Sequence, residues 1–145
     1  MNTIICNALT GAVSEYTRHA FQSVTPTHAG SATGLYAFGG DTDDGLPIVA
    51  DIRLPPTLRG STLKKHLQMV YLSMTGSGSA QLTVFGKTEN WAYQFPLRAS
   101  GQTRCQVGKG IRENYLGFGL SNPNGQAFAL DRVEVLVAES KTRRI

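Results

Sequence analysis

Alternation of apolar and polar residues at period 2, cut at short intervals by glycine and proline, is the feature that most constrains what this chain can fold into. Residues 115–137 carry it most fully, reading Tyr115-Leu-Gly-Phe-Gly-Leu-Ser121, Asn122-Pro-Asn-Gly125, Gln126-Ala-Phe-Ala-Leu-Asp131 and Arg132-Val-Glu-Val-Leu-Val137. In the first run Leu116, Phe118 and Leu120 fall on one side of an extended chain. Tyr115, Gly117, Gly119 and Ser121 fall on the other, which predicts a half-buried strand. Asn-Pro-Asn-Gly supplies turn chemistry, because proline fixes φ near a turn value while asparagine and glycine tolerate positive φ. A hairpin is therefore predicted. In the return run Phe128 and Leu130 share a parity that Val133, Val135 and Val137 break, so a bulge or bend belongs near Asp131-Arg132.

The rest of the chain reads the same way. Residues 3–7 form a short apolar run, and residues 12–21, rich in Val, Tyr, Thr and Phe and without a helix cap, favour a strand over a loosely spaced helix. Residues 24–34 read as a loop from their Pro, Gly, Ser and Thr content. Leu35-Tyr-Ala-Phe38 is a short strand. Ile48, Ala50, Ile52 and Leu54 alternate until Pro55-Pro56 ends the run. Residues 61–72 let a helix compete through Leu63, Leu67 and Val70, but Leu67, Met69 and Tyr71 also alternate, which favours a strand with a turn of helix at residues 61–64. Residues 80–85 then pair back across Gly76-Ser-Gly78. Trp91, Tyr93, Phe95 and Leu97 show the strictest alternation, and Pro96, which cannot donate to a ladder, puts this end at an edge or bulge. Residues 103–107 alternate before Gly108-Lys-Gly110.

About nine strands with Gly- and Pro-marked turns predict an all-β chain, an antiparallel two-sheet β-sandwich of jelly-roll or Ig-like kind or else a flattened barrel. Gly 16 and Pro 6 against 17% charged residues suit that class. One domain over residues 1–145, with a short basic tail at 140–145, is the simplest organisation for this length. Cys6 and Cys105 have no metal or redox spacing, so two free thiols are expected rather than a disulfide. No leader pattern opens the chain, and nothing approaches about 18 apolar residues in a row. A non-membrane product made in the cytoplasm is expected. The net charge of +4 owes three of its 14 basic residues to Lys141, Arg143 and Arg144, leaving 11 basic against 10 acidic. A near-neutral body argues against nucleic acid as a partner.

The chain carries no recognisable catalytic or metal-binding motif, so no enzyme activity and no cofactor is expected. Asp41-Thr-Asp-Asp-Gly45 resembles a calcium loop, but counting from Asp41 puts Gly45 at position 5, Leu46 at 6 and Ile52 at 12. An EF-hand needs glycine at 6 and glutamate at 12, so a β-turn is the better reading. His19, His28 and His66 have no ligand spacing, no GxSxG surrounds a serine, and Gly108-Lys-Gly-Ile lacks the frame of a phosphate loop. Two binding surfaces remain. Trp91, Tyr93 and Phe95 form either a stacking platform for sugar rings or a core face, and the strict alternation favours core. Tyr115, Gly117 and Gly119 either admit a partner's backbone or let the chain's own elements approach. The tail residues Lys141, Arg143, Arg144 and Ile145 are the partner-contact candidates, through strand addition or charge pairing.

Asn7-Ala-Leu-Thr-Gly-Ala-Val-Ser-Glu-Tyr16, Gly34-Leu-Tyr36, Gly40-Asp-Thr-Asp-Asp-Gly-Leu-Pro-Ile48, Leu63-Lys64, Gly108-Lys-Gly-Ile-Arg112, Tyr115-Leu-Gly-Phe118, Phe128-Ala-Leu-Asp131 and Arg143-Arg-Ile145 resemble the pattern of small virion structural proteins of tailed bacteriophages. The resemblance spans nearly the whole chain, and its motifs are turn and strand signatures. It implies a non-enzymatic subunit of a tail or baseplate, resident in the virion and assembling with copies of itself and with other tail or baseplate proteins. The alternative is a glycan-binding module at the tail end, contacting host surface polysaccharide.

Overall fold

The computed structural model describes residues 2–16 and 19–140, and its chain divides into two compact units, Met1–Gly45 and Leu46–Ile145. The described residues are all-β, with several antiparallel sheets and no helix.

In the first unit β1 (Thr3–Cys6) and β2 (Val13–Tyr16) form a hairpin that pairs Thr3 with Tyr16 and Cys6 with Val13. Its loop is tied locally. Asn7 Oδ1 accepts from the backbone N–H of Leu9 at 2.9 Å and of Thr10 at 3.2 Å, and Gly11 takes φ 70°. A small meander follows from β3 (Ser23–Val24), β4 (His28–Gly30) and β5 (Leu35–Ala37). The expected loop over residues 24–34 thus holds a strand, because Ala29 and Gly30 find partners on both sides and His28 pairs with Ala37. Two-residue β6 (Thr42–Asp43) closes the unit, and Asp44 and Gly45 turn the chain with φ of 50° and 79°. That is the β-turn expected of the Asp-rich stretch.

The second unit opens with β7 (Leu46–Pro47) and then builds two larger sheets. The first contains β8 (Asp51–Thr57), β10 (Ser79–Phe85), β11 (Asn90–Pro96) and β14 (Leu116–Ser121), ordered β11-β10-β14-β8. The second is organised on β9 (Lys65–Gly76). β12 (Gln102–Cys105) and β13 (Arg112–Glu113) pair with successive parts of β9, and β15 (Phe128–Glu139) pairs along nearly its whole length. Since a strand has two edges, β12 and β13 share the edge opposite β15.

Both sheets supply one hydrophobic cluster. Val70, Leu72 and Met74 come from β9, Leu82 and Val84 from β10, and Leu116, Phe118 and Leu120 from β14. Each such side chain taken out of water contributes about 1.5–3 kcal/mol.

The chain's connectivity departs from the expected one at three places. Gly76-Ser77-Gly78 joins no hairpin: β9 and β10 lie in different sheets, so the glycines make a crossover rather than a tight turn. Asn122-Pro-Asn-Gly125 does form a β-turn, Gly125 N–H donating to Asn122 C=O at 2.8 Å, but it too links the two sheets. Buried Asn122 fixes it in place. Its Nδ2 donates to the carbonyls of Gln126 at 2.8 Å and Ile48 at 3.2 Å, while its Oδ1 accepts from Ala50 N–H at 2.6 Å. Pro55-Pro56 does not end its strand, since β8 runs on to Thr57. As an edge strand β8 needs no ladder donors on its free side, which is where proline is tolerated.

β14 is buried on both faces rather than half-buried. Its glycines are the reason. A Cβ on Gly117 would lie 2.9 Å from Pro56 Cγ and 3.0 Å from Pro56 N, and one on Gly119 would lie 3.0 Å from the Phe85 ring. Side chains of the same sheet therefore cover the glycine face, with Arg53 stacked 4.1 Å over Phe85. Expected features also appear. Pro96 ends edge strand β11, Trp91 and Tyr93 pack half-buried against the cluster, Phe95 is buried in it, and β15 shifts register between Leu130 and Arg132. Residues 61–64 make no helical turn. They are clamped by Lys65, fully buried, whose Nζ donates to the carbonyls of Ser61, of Leu63 at 2.9 Å and of Asn114 at 3.2 Å.

Candidate functional site

β8 is paired to β14 on one edge and open on the other, and all seven of its residues are exposed. Ile52 and Leu54 point to the same side as Leu120 and Phe118, their ladder partners, yet keep 37% and 38% of their surface in solvent. Across from them lies β15, where the register shift leaves Asp131 as the extra, unpaired residue. Between the two strands a cleft of about 350 Å³ opens onto the cluster. Ile52, Leu54, Leu82, Phe118, Leu130 and Val133 line it, and Asp131 and Arg132 supply its polar rim. A second hollow beside Ser73, Thr75 and Gln102 reaches the other flank of the same bulge. Bulges re-aim side chains at sheet margins, and Asp131 is aimed here between two concavities.

The charges around the cleft are unequally engaged. Arg132 Nε lies 3.1 Å from Glu134 Oε1, and the Arg59 guanidinium sits 4.9 Å over the Phe118 ring. Among the described residues no ion pair reaches Asp131. An apolar cleft with one unengaged carboxylate at its lip has the chemistry of a docking site for an aliphatic group next to a cation.

Elsewhere the chemistry-bearing groups stay apart. In the first unit His19 Nε2 lies 3.2 Å from Asp43 Oδ1, with its ring stacked on Phe21 at 5.4 Å and edge-on to Tyr36 at 5.3 Å. Thr3 Oγ1 ties this cluster to β1, donating to His19 C=O and accepting from Phe21 N–H. His28 meets Thr27, and His66 lies in β9 of the second unit. Among the described residues no group of three or more His, Cys, Asp or Glu could hold a metal ion. Both cysteines are free, Cys6 exposed and Cys105 buried, and burial pushes the Cys105 thiol up to about 11. Such a thiol stays protonated and inert.

Of the sequence-based candidates, Lys141, Arg143, Arg144 and Ile145 lie outside the described residues. Trp91 and Tyr93 pack half-buried against the cluster and Phe95 is buried in it, as the core reading has them. Tyr115 is 47% exposed, but Gly117 and Gly119 are covered by Pro56 and Phe85 and offer no opening to a partner. The cleft itself went unforeseen. Its signal was present in Pro55-Pro56, since two prolines inside an alternating run mark an edge strand. Comparison of the chain with known protein families, curated proteins and solved structures finds no match.

Proposed function

We propose that this chain is a non-enzymatic structural subunit that docks into a larger assembly through the β8 edge and the cleft beside it, its second unit being a two-sheet sandwich. The assembly class is a tail or baseplate of a tailed bacteriophage, with copies of the chain itself and other tail proteins as neighbours. The observation that carries this reading is β8: an exposed edge strand whose Ile52 and Leu54 rim an apolar cleft is a template for a partner. The prolines at positions 55 and 56 limit strand addition to the Asp51–Leu54 half, because they have no N–H to give.

The test is incorporation. A chain carrying Ile52→Glu and Leu54→Glu keeps its fold, since both positions are half-open to solvent, and is depleted from purified particles when it replaces the natural chain. Mass spectrometry of the particles reads the copy number. Full incorporation of the variant would overturn the docking role. Absence of the natural chain from particles would overturn the virion assignment.

A further inference from the structure

The cleft has the chemistry to receive one particular segment of this chain. Residues 141–145, Lys-Thr-Arg-Arg-Ile, combine three cations with a single aliphatic residue. The cleft combines an aliphatic lining with the unengaged Asp131 carboxylate at its lip. Its neighbouring cations do not compete for that carboxylate, because Arg132 is held by Glu134 and Arg59 lies over Phe118. A guanidinium presents a planar fork suited to a carboxylate, so Arg143-Arg144 matches Asp131 better than a point charge would.

Geometry decides which copy supplies the segment. β15 carries the chain away from the bulge, from Asp131 to Glu139, and Ser140 N–H donates to Lys64 C=O at its far end. Returning from Ser140 to Asp131 means retracing about 30 Å of strand at about 3.3 Å per residue. Five extended residues span only about 18 Å. The segment therefore cannot put an arginine on Asp131 of its own chain.

We propose that residues 141–145 of one copy occupy the cleft between β8 and β15 of a second copy, with Ile145 entering the apolar lining and the arginine pair engaging Asp131. The contact is heterologous, one surface meeting a different surface, so its repetition generates a ring or an open chain of subunits. This inference rests on the docking role of the cleft given above and names its occupant.

A complementation experiment on the full chain tests it. The natural chain self-associates with rising concentration in sedimentation velocity. Removing residues 141–145, or making Asp131→Lys at the exposed bulge, weakens that association about tenfold or more, the loss expected when a charge pair at a docking site is removed or reversed. Circular dichroism melts confirm that both variants are folded. Mixing the two variants one to one restores a stable complex of one copy of each, because the intact segment of the Asp131→Lys chain meets the intact cleft of the truncated chain. The inference is overturned if the natural chain stays monomeric throughout, if truncation leaves self-association unchanged, or if the mixture behaves as the sum of its parts. The two readings separate in particles. Normal incorporation of the truncated chain alongside exclusion of the Ile52→Glu, Leu54→Glu chain sinks this inference and leaves the docking role standing. Normal incorporation of both sinks the two together.

Discussion

The two units of the chain are held by different forces. The second has 12-residue strands in β9 and β15 and a cluster of buried apolar side chains fed from both sheets. The first has strands of two to four residues, and Ala29 is the one apolar residue buried among its described positions. Ile4, Leu9, Val13 and Leu35 there are 71%, 97%, 67% and 75% exposed. What orders it is a set of individual contacts: the Asn7 side chain capping its own loop, Thr3 bridging to His19 and Phe21, and a set of tilted and stacked rings. Burial makes a cooperative core, whereas scattered hydrogen bonds and ring contacts make structure that opens at small cost.

The largest effect that would sharpen this contrast comes from Phe118→Ala. The ring is 2% exposed, spans the cluster between β10 and β8 by register, and lines the cleft. Its loss costs about 3–5 kcal/mol of global stability by chemical denaturation, from transfer plus cavity. A loss below about 1 kcal/mol would mean that the cluster does not behave as a packed core.

A middle-sized effect should appear in alkali. Burial raises the Cys105 pKa from its ordinary 9.0 to about 11, so the folded chain holds a proton that the unfolded chain releases above pH 9. The stability from the neutral buried thiol is complete below about pH 9 and falls as pH rises toward 11. The slope is about 1.4 kcal/mol per pH unit from this group. Comparing the natural chain with Cys105→Ala isolates it from tyrosine and lysine titration: the difference in stability between the two should shrink across that window. A constant difference from pH 8 to 11 would show that the thiol is not desolvated.

Much of the second unit was legible because period-2 alternation reports burial directly. Trp91, Tyr93 and Phe95 point to the cluster as their spacing said, and the parity break at Asp131 is a bulge in β15. The helix-like spacing of Leu67 and Val70 has the same origin. β9 slips against β15 between Leu67 and Met69, leaving Gln68 extra, so burial passes from Leu67 to Val70 and Leu72 without a helix. Bulges imitate the helical period over one turn. Partners were not legible. Turn residues specify that the chain bends, not whether it re-enters the same sheet, so Gly76-Ser-Gly78 and Asn122-Pro-Asn-Gly125 read as hairpins when both cross between sheets. The cleft escaped for the same reason, since Pro55-Pro56 can mark β8 as an edge but says nothing of the β15 bulge that the fold brings across from it. The first unit gave weaker signals because its ordering rests on side-chain hydrogen bonds between positions such as Thr3 and His19, which carry no periodicity.

The smallest effect is the one most able to break the contrast. Phe21 joins Tyr16, His19, Tyr36 and Phe38 with ring centroids 5.4–6.2 Å apart, so it is the centre of this ring cluster. An aromatic pair adds about 0.5–1.5 kcal/mol beyond its buried area, so Phe21→Ala removes several small terms rather than one large one. Native-state hydrogen exchange is the measurement that reads them. In the natural chain the amides of β1, β2 and β4 should exchange through openings well below the global stability, and Phe21→Ala should speed them about tenfold, equivalent to about 1.4 kcal/mol. The amides of β9, β10 and β14 should keep their protection. If those strands lose protection in step with β1 and β4, the two units open as one, and the division between a packed core and a locally tied unit is wrong.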